Sequence, residues 1–209
     1  MNQYFSIFEN QHFSLNIDEF LSLFDHLSSL PIISKYITET MFLLLKYVEI
    51  DNSRLPRIFH LLNIILPQID SRHGIDDILK SLFLVIQSQP KNFSIIFDSQ
   101  ILNTFLNQIQ GKFVHNQERF GVIIESFFKF LNIALKKMDH DYQIRTRALI
   151  NITTLFELFQ SIHCEKVHLQ IFNLLYQYFQ FDIQQIYFDV NDEESHLFSL
   201  ILNSGLIQY

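Results

Sequence analysis

The stretch FGVIIESFFKFL, residues 120–131, predicts an α-helix with one buried side and decides the fold class of this chain. Ile124, Phe128 and Leu131 are spaced by four and three residues, which places them on one side of a helix. The same apolar triplet recurs about every 37 to 47 residues, in MFLLLKYV at 41–48, ILKSLFLV at 78–85 and IFNLLYQY at 171–178. This recurrence predicts a repeating helical architecture, because a helix pair that is apolar on one side must pack on its neighbours.

Capping and turn residues predict nine or ten helices and no strand. Asn16 is a good N-cap for the first helix, Gly74 is expected to break the chain, and Gly111 is expected to end a helix. Asp76 and Asp77 are expected in the first turn of the helix after Gly74, where the helix dipole favours them. The predicted helices cover 17–29, 31–48, 55–66, a segment from 76 to before Pro90, 92–97, 101–109, 116–137 as the longest, 142–160, 165–180 and 193–203, with residues 1–15 irregular.

The composition agrees with long helices in a folded protein. The chain of 209 residues has only four Gly and four Pro, which favours helices joined by short polar turns. Hydrophobic residues make up 48%, so general disorder is excluded. The single cysteine, Cys164, excludes an internal disulfide.

The sequence predicts a protein of the cell interior, most simply of the cytoplasm. The first 14 residues lack the basic start and apolar run of a signal peptide. The longest uncharged segments, 167–181 and 195–209, each have 15 residues, short of the roughly 20 needed to span a membrane.

Charge is unevenly distributed along the chain, whose formal net charge is −7. Residues 1–147 carry 14 basic and 15 acidic side chains, a net charge of −1, so residues 148–209 carry the remaining −6. This balance argues against nucleic acid as a partner.

Short segments resemble armadillo/HEAT-type repeats. SLFLVIQSQPKNFSIIFDSQILNTFLNQI at 81–109 and ILNSGLIQY at 201–209 resemble an armadillo repeat junction, and ALINI at 148–152 resembles the Ala-Leu-x-Asn-Leu run of that family. The resemblance implies an all-α fold, a right-handed α-solenoid of stacked antiparallel helix pairs, forming a single domain over 1–209. The predicted pairs are 17–48, 54–89, 98–138 and 142–180.

The end of the chain lacks the polar face expected of a capping repeat, since it contains Leu202, Leu206 and Ile207. We therefore expect either that Tyr209 is the boundary of a fragment, with further repeats in a longer array, or that another protein covers this end.

Eight residues are candidates for partner binding. Lys129, Lys136, Lys137, Arg145 and Arg147 form the one basic cluster, which is either an ordinary solvated edge or a site for an acidic protein segment, an anionic lipid head group or RNA. The resemblance adds Asn151, the one residue that matches the Trp and Asn ladders of peptide-binding armadillo proteins, since Trp is absent. Phe172 and Tyr176 lie on a helix that is apolar nearly all round, which indicates burial in a core or under a partner.

No pattern in the sequence predicts catalysis or a cofactor. His163, Cys164 and His168 are too few for a structural zinc site and lack the further groups that a catalytic thiol needs. Phosphate-loop, HExxH and GxSxG patterns are absent. The sequence therefore predicts no enzyme, cofactor, metal or small-molecule substrate. It predicts a protein–protein interaction scaffold or adaptor with protein partners; the alternative is a structural subunit inside a large assembly.

Overall fold

The computed structural model describes residues 16–188, with the backbone alone for Pro31 and residues 183–188. Within this range the secondary structure is helical, with short 3-10 and π turns and no strand, so the all-α prediction is confirmed. Residues 1–15 and the predicted helix 193–203 lie outside the described range. Residues 16–188 contain ten α-helices: α1 Ile17–Leu27, α2 Pro31–Tyr47, α3 Leu55–Ile65, α4 Arg72–Ser88, α5 Phe93–Asp98, α6 Ile101–Gln108, α7 Gln117–Leu135, α8 His140–Leu149, α9 Ile152–Ser161 and α10 Glu165–Phe188.

The four longest helices pack side by side in chain order, α2 on α4, α4 on α7 and α7 on α10. These helices carry the apolar triplets, and the triplet residues supply much of the interior between them. Leu45 and Val48, in the first triplet, are half-buried. The other triplet residues are buried: Met41, Ile78, Leu82, Val85, Ile124, Phe128, Leu131, Ile171, Leu175 and Tyr178.

Most of the shorter helices pack against one another or against these four. Helix α1 packs against α2 and α3, α3 packs against α5 and α6, and α9 packs against α10. The N-terminus of α1 is capped as predicted, because the Asn16 side chain accepts a hydrogen bond of 3.4 Å from the amide of Glu19.

Polar contacts between segments repeat the spacing of the triplets. Arg54 pairs with Asp18 across 36 residues, and Arg145 pairs with Asp98 across 47. Side-chain hydrogen bonds between distant described residues connect positions 32 to 49 apart, except for the bond from Tyr178 to Ile150, which spans 28 residues. The residues that take part in the longer bonds are Asn52, Arg54, Arg57, Asn92, Lys112, Gln117, Arg119, Asn132, Arg145, His163 and Gln177. Most of these contacts therefore join a segment to one about a triplet spacing away.

The predicted single helix over 142–160 is wrong, because the chain breaks between α8 and α9. The side chain of Asn151 accepts a 2.8 Å hydrogen bond from the amide of Thr154 and so caps the start of α9. The carbonyl oxygen of Ile150, left without a helical partner at this break, accepts a hydrogen bond from the hydroxyl of Tyr178. One carbonyl group and one amide group at the break therefore have partners.

The role predicted for Gly74 is also wrong, because this residue lies inside α4. A Cβ atom there would lie 3.1 Å from Cγ2 of Ile69 and 3.2 Å from the hydroxyl oxygen of Thr38 in α2. Glycine is thus used where α2 comes close to α4. Since α4 begins at Arg72, the side chains of Asp76 and Asp77 lie beyond its first turn.

Two helix boundaries also differ from the prediction. The chain stays helical at Gly111, because Ile109–Phe113 forms a π turn directly after α6. Helix α10, with 24 residues, is longer than α7, with 19, although the 116–137 segment was predicted to be the longest. No helix within residues 16–188 has both the length and the apolar character that crossing a membrane requires.

Candidate functional site

The predicted basic cluster is divided in the structure, because its two arginines contact different helices. Arg145 pairs with Asp98 at 3.1 Å and lies 4.5 Å from the ring centre of Phe97, so it contacts α5. Arg147 pairs with Asp182 of α10 at 2.5 Å and lies 4.7 Å from the ring centre of Phe181. Both cations are therefore engaged in contacts within the chain, on two sides of α8.

The three lysines of the cluster are exposed and lie on and after α7. Lys129 is on the helix itself, and Lys136 and Lys137 follow its last residue. Lys136 borders a shallow groove with Arg147 and Gln177, whereas Lys129 lies two turns earlier. The structure thus brings Lys136 and Arg147 together and leaves Lys129 and Arg145 elsewhere.

Asn151 lies on the other side of Arg147, in a second and mainly apolar groove that includes Ile144, Tyr178 and Phe181. The side-chain oxygen of Asn151 is already used as the cap of α9. Its structural role is therefore local, and a role in partner binding stays a prediction.

Phe172 and Tyr176 are exposed, at 46% and 61%, on α10. Leu169, 58% exposed, is three residues before Phe172 and seven before Tyr176, so the three share one side of the helix. The ring of Phe172 also contacts Phe159 of α9 edge-on at 5.0 Å, which fixes one edge of the surface.

Helix α7 presents exposed residues at two of the three matching positions, and the third, Glu125, which matches Phe172, is half-buried. The triplets of α7 and α10 are 47 residues apart, and with this offset Val122 matches Leu169 and Lys129 matches Tyr176. Val122 is 48% exposed and Lys129 is exposed. Because α7 and α10 pack side by side, we group these residues as one surface, the outer face: Val122, Lys129, Leu169, Phe172 and Tyr176.

A buried polar contact fixes α10 against α7 below the outer face. The Asn132 amide nitrogen donates to the backbone oxygen of Gln170 at 2.9 Å, and its oxygen accepts from Gln177 at 2.8 Å. Asn132 is buried, and a buried amide requires such partners. The two helices that carry the outer face are thus held in a defined register.

Tyr178 forms the inner wall of both grooves beside Arg147. Burial raises the pKa of the Tyr178 hydroxyl above its usual range, and the nearby Arg147 partly opposes this effect. The hydroxyl therefore stays protonated and remains a hydrogen-bond donor.

His163, Cys164 and His168 do not form a common site. The Nε2 atom of His168 lies 2.5 Å from the carbonyl oxygen of Ile162, and its ring stacks on Phe159, so it binds the end of α9. The amide of His163 donates to the side chain of Gln117 at 2.7 Å. Among the described residues, no three His, Cys, Asp or Glu side chains are grouped as metal ligands would be.

Comparison of the chain with protein-family models, curated proteins and solved structures finds no match. The resemblance to armadillo/HEAT-type repeats thus rests on the short sequence segments given above.

Sequence reasoning singled out Lys129, Phe172 and Tyr176 as candidate binding residues, and it did not give Val122 or Leu169 that role. The exposure of Val122 was not expected, because apolar residues on an amphipathic helix are usually assigned to the core. Leu169 lies on the helix that is apolar nearly all round, and the sequence does indicate excess apolar residues there. The available signal was their spacing, since Val122 and Leu169 lie seven residues before Lys129 and Tyr176.

Proposed function

We propose that this protein is a protein–protein interaction scaffold that binds a partner on its outer face. The carrying observation is the exposure of Leu169, Phe172 and Tyr176 together on α10. A cluster of exposed aromatic and aliphatic residues is typical of a protein-binding surface.

We also propose that the helices are arranged as a right-handed α-solenoid of the armadillo/HEAT type. Two observations support it: the four long helices pack in chain order, and the polar contacts join residues 32 to 49 apart. In a solenoid each repeat contacts its neighbours, so contacts at about one repeat length are expected.

Charge defines the partner only broadly. Lys129 is the one cation of the outer face, and the other members are apolar or aromatic. A partner segment with apolar anchors and an acidic residue within reach of Lys129 fits this surface. The proposal assigns no catalytic activity to the protein and places it in the cytoplasm.

Affinity capture from the source cells tests the proposal. We expect the double variant Leu169→Glu/Tyr176→Glu to lose bound partners, because two charges would then lie in the contact. The variant Gln160→Glu changes an exposed residue of α9 and is the matched control. Both variants should keep the circular dichroism spectrum and the melting temperature of the parent. Equal capture by the parent, the double variant and the control would contradict the proposal.

The alternative is a structural subunit held permanently inside a large assembly. Exposed apolar residues at the first helix pair favour it, since Ile32 is 86% exposed and Leu23, Leu30 and Tyr36 are exposed as well. Purification separates the two functions: a scaffold remains a soluble monomer when isolated, whereas an obligate subunit aggregates or is recovered only with its assembly.

A further inference from the structure

Helix α8 differs from the other described helices in how it is held. Within residues 16–188, each of the other nine α-helices buries at least two apolar side chains, whereas the only buried side chain of α8 is that of Thr146. Tyr142 and Leu149 are half-buried, and Ile144 and Ala148 are exposed. Because helices in proteins are stabilised mainly by burying an apolar side, α8 has little of the usual basis for stable packing.

The two ends of α8 are nevertheless fixed. Met138, two residues before the helix, and Ile150, directly after it, are both buried. The side chain of Gln143 donates hydrogen bonds of 2.9 Å and 3.3 Å to the carbonyl oxygens of Leu135 and Met138. The carbonyl oxygen of Ile150 accepts the hydrogen bond from Tyr178. The polar body of α8 therefore lies between two attachment points.

Two arginines hold this body on opposite sides. Arg147 pairs with Asp182 of α10, where the two side chains are only 19% and 21% exposed, and its guanidinium lies 4.7 Å from the ring centre of Phe181. Arg145 pairs with Asp98 of α5 in a more exposed position. Ion pairs and cation–π contacts are stronger when they are shielded from water, so Arg147 makes the stronger of the two contacts.

Aromatic rings lie beneath α8 on both flanking helices. Phe97 of α5 lies 4.5 Å from the guanidinium of Arg145 and 5.9 Å from the ring centre of Tyr142. Phe181 of α10 stacks on the ring of His140, with ring centres 4.8 Å apart. Displacement of α8 would therefore expose the rings of Phe97 and Phe181 to water.

We propose that α8 is a strap that opens and closes over these two rings while the rest of the fold stays intact, and that Arg145 and Arg147 are its latch. Local opening occurs in segments with few buried apolar contacts, and α8 is such a segment. Salt screens the attraction between exposed charges, so high ionic strength favours the open strap. This proposal concerns α8 alone and does not depend on binding at the outer face.

Hydrogen exchange of the full chain, measured by mass spectrometry, tests this proposal. In the parent, the amides of α8 should exchange at least about tenfold faster than those of α4, yet more slowly than those of an unfolded peptide. The double variant Arg145→Gln/Arg147→Gln should accelerate exchange in α8 by about a further tenfold and leave α4 unchanged. Adding about 1 M NaCl should accelerate α8 in the parent and have less effect in the double variant, whose latch is already removed.

Arg57→Gln is the matched control for the double variant. It breaks a 2.5 Å ion pair with Asp25 that also joins two helices, α3 and α1, but these helices additionally bury apolar side chains. This control should leave exchange in α8 unchanged.

Several results would overturn the proposal. Equal exchange rates of α8 and α4 in the parent would show that α8 opens only when the whole protein unfolds. Exchange in α8 as fast as in an unfolded peptide would show that it has no closed state. An unchanged rate of α8 in the double variant, an equal acceleration of α4, or a parent that does not respond to salt would show that the two arginines are not a latch.

Discussion

The hydroxyl of Tyr178 donates a 3.0 Å hydrogen bond to the carbonyl oxygen of Ile150, within the interior between α8 and α10. Ile150 is the first residue after α8, and its carbonyl oxygen is one of those that a helix end leaves without a backbone partner. This bond therefore stabilises the break between α8 and α9 and joins it to the last long helix.

Replacing Tyr178 by Phe should destabilise the protein by about 1–3 kcal/mol, because it leaves a buried carbonyl oxygen without a partner. For a chain of this size the melting temperature should fall by about 2–4 °C for each kcal/mol. The control is Tyr176→Phe, which removes an exposed hydroxyl and should change stability by less than about 0.5 kcal/mol. Urea unfolding measures both, and equal stabilities of the two variants would contradict the role of the buried bond.

Replacing Gln100 by Gly should stabilise the protein by about 0.5–1 kcal/mol, since a left-handed backbone is costly for a residue with a Cβ atom. Gln100 has φ 65° and connects α5 to α6. The same replacement at the exposed helical residue Gln180 should instead cost about 0.5 kcal/mol. Thermal unfolding of the two variants should thus show shifts of opposite sign, and a loss of stability in both would refute the explanation.

The side chains of Asn132 and Gln177 should be energetically coupled, because they share a 2.8 Å hydrogen bond between α7 and α10. A double-mutant cycle with Asn132→Ala and Gln177→Ala should give a coupling energy of about 0.5–1.5 kcal/mol. A cycle that pairs Asn132→Ala with Gln160→Ala, on the separate helix α9, supplies the baseline near zero. Coupling indistinguishable from that baseline would show that the bond contributes nothing to the packing of α7 on α10.

Asp77→Asn should stabilise the protein at neutral pH. Burial raises the pKa of Asp77, and the Lys80 ammonium, 3.6 Å away, opposes this effect only partly, while Asp76 and Glu39 add to it. Because the folded-state pKa is raised, the native state is favoured while the carboxyl is protonated, and stability is lost as pH rises through that pKa. The advantage of the variant should therefore be present at pH 7 and shrink towards zero below about pH 4, near the pKa of an unfolded aspartate.

Asp76→Asn is the control for this pH dependence. It removes the carboxylate closest to Lys80, at 2.6 Å, from a more exposed position. Its effect on stability should stay within about 0.5 kcal/mol. Unfolding free energies measured from pH 3 to pH 8 test this prediction. A difference in unfolding free energy between Asp77→Asn and the parent that stays constant over that range would rule out titration of Asp77 as the cause.

The long helices could be predicted because their buried apolar residues recur along the sequence with the period of an α-helix. Ile124, Phe128 and Leu131 face the interior for a reason that the sequence alone contains, namely their spacing. The break at Ile150 does not follow from this period, and its one local signal is Asn151, a favoured N-cap residue. The group that satisfies the carbonyl of Ile150, Tyr178, is 28 residues away. Gly74 was misread for a similar reason, because the close approach of Thr38 comes from another helix.

Lys129, Phe172 and Tyr176 were candidates from charge and from excess apolar content, but their grouping into the outer face was not predicted, and their role in binding stays a prediction. The division of the arginines was not predictable, because Arg145 and Arg147 are two residues apart and the sequence does not say which helix lies on each side of α8. Their partners, Asp98 and Asp182, lie 47 residues earlier and 35 residues later.

A pulling force applied at residues 16 and 188 would pass through polar links that each span only 32 to 49 residues of the chain. Such a chain should lengthen in steps rather than in a single event, and each step should release on the order of 100–170 Å of extended backbone. Because interfaces in series carry the same tension, the weakest one should open first, wherever it lies along the chain.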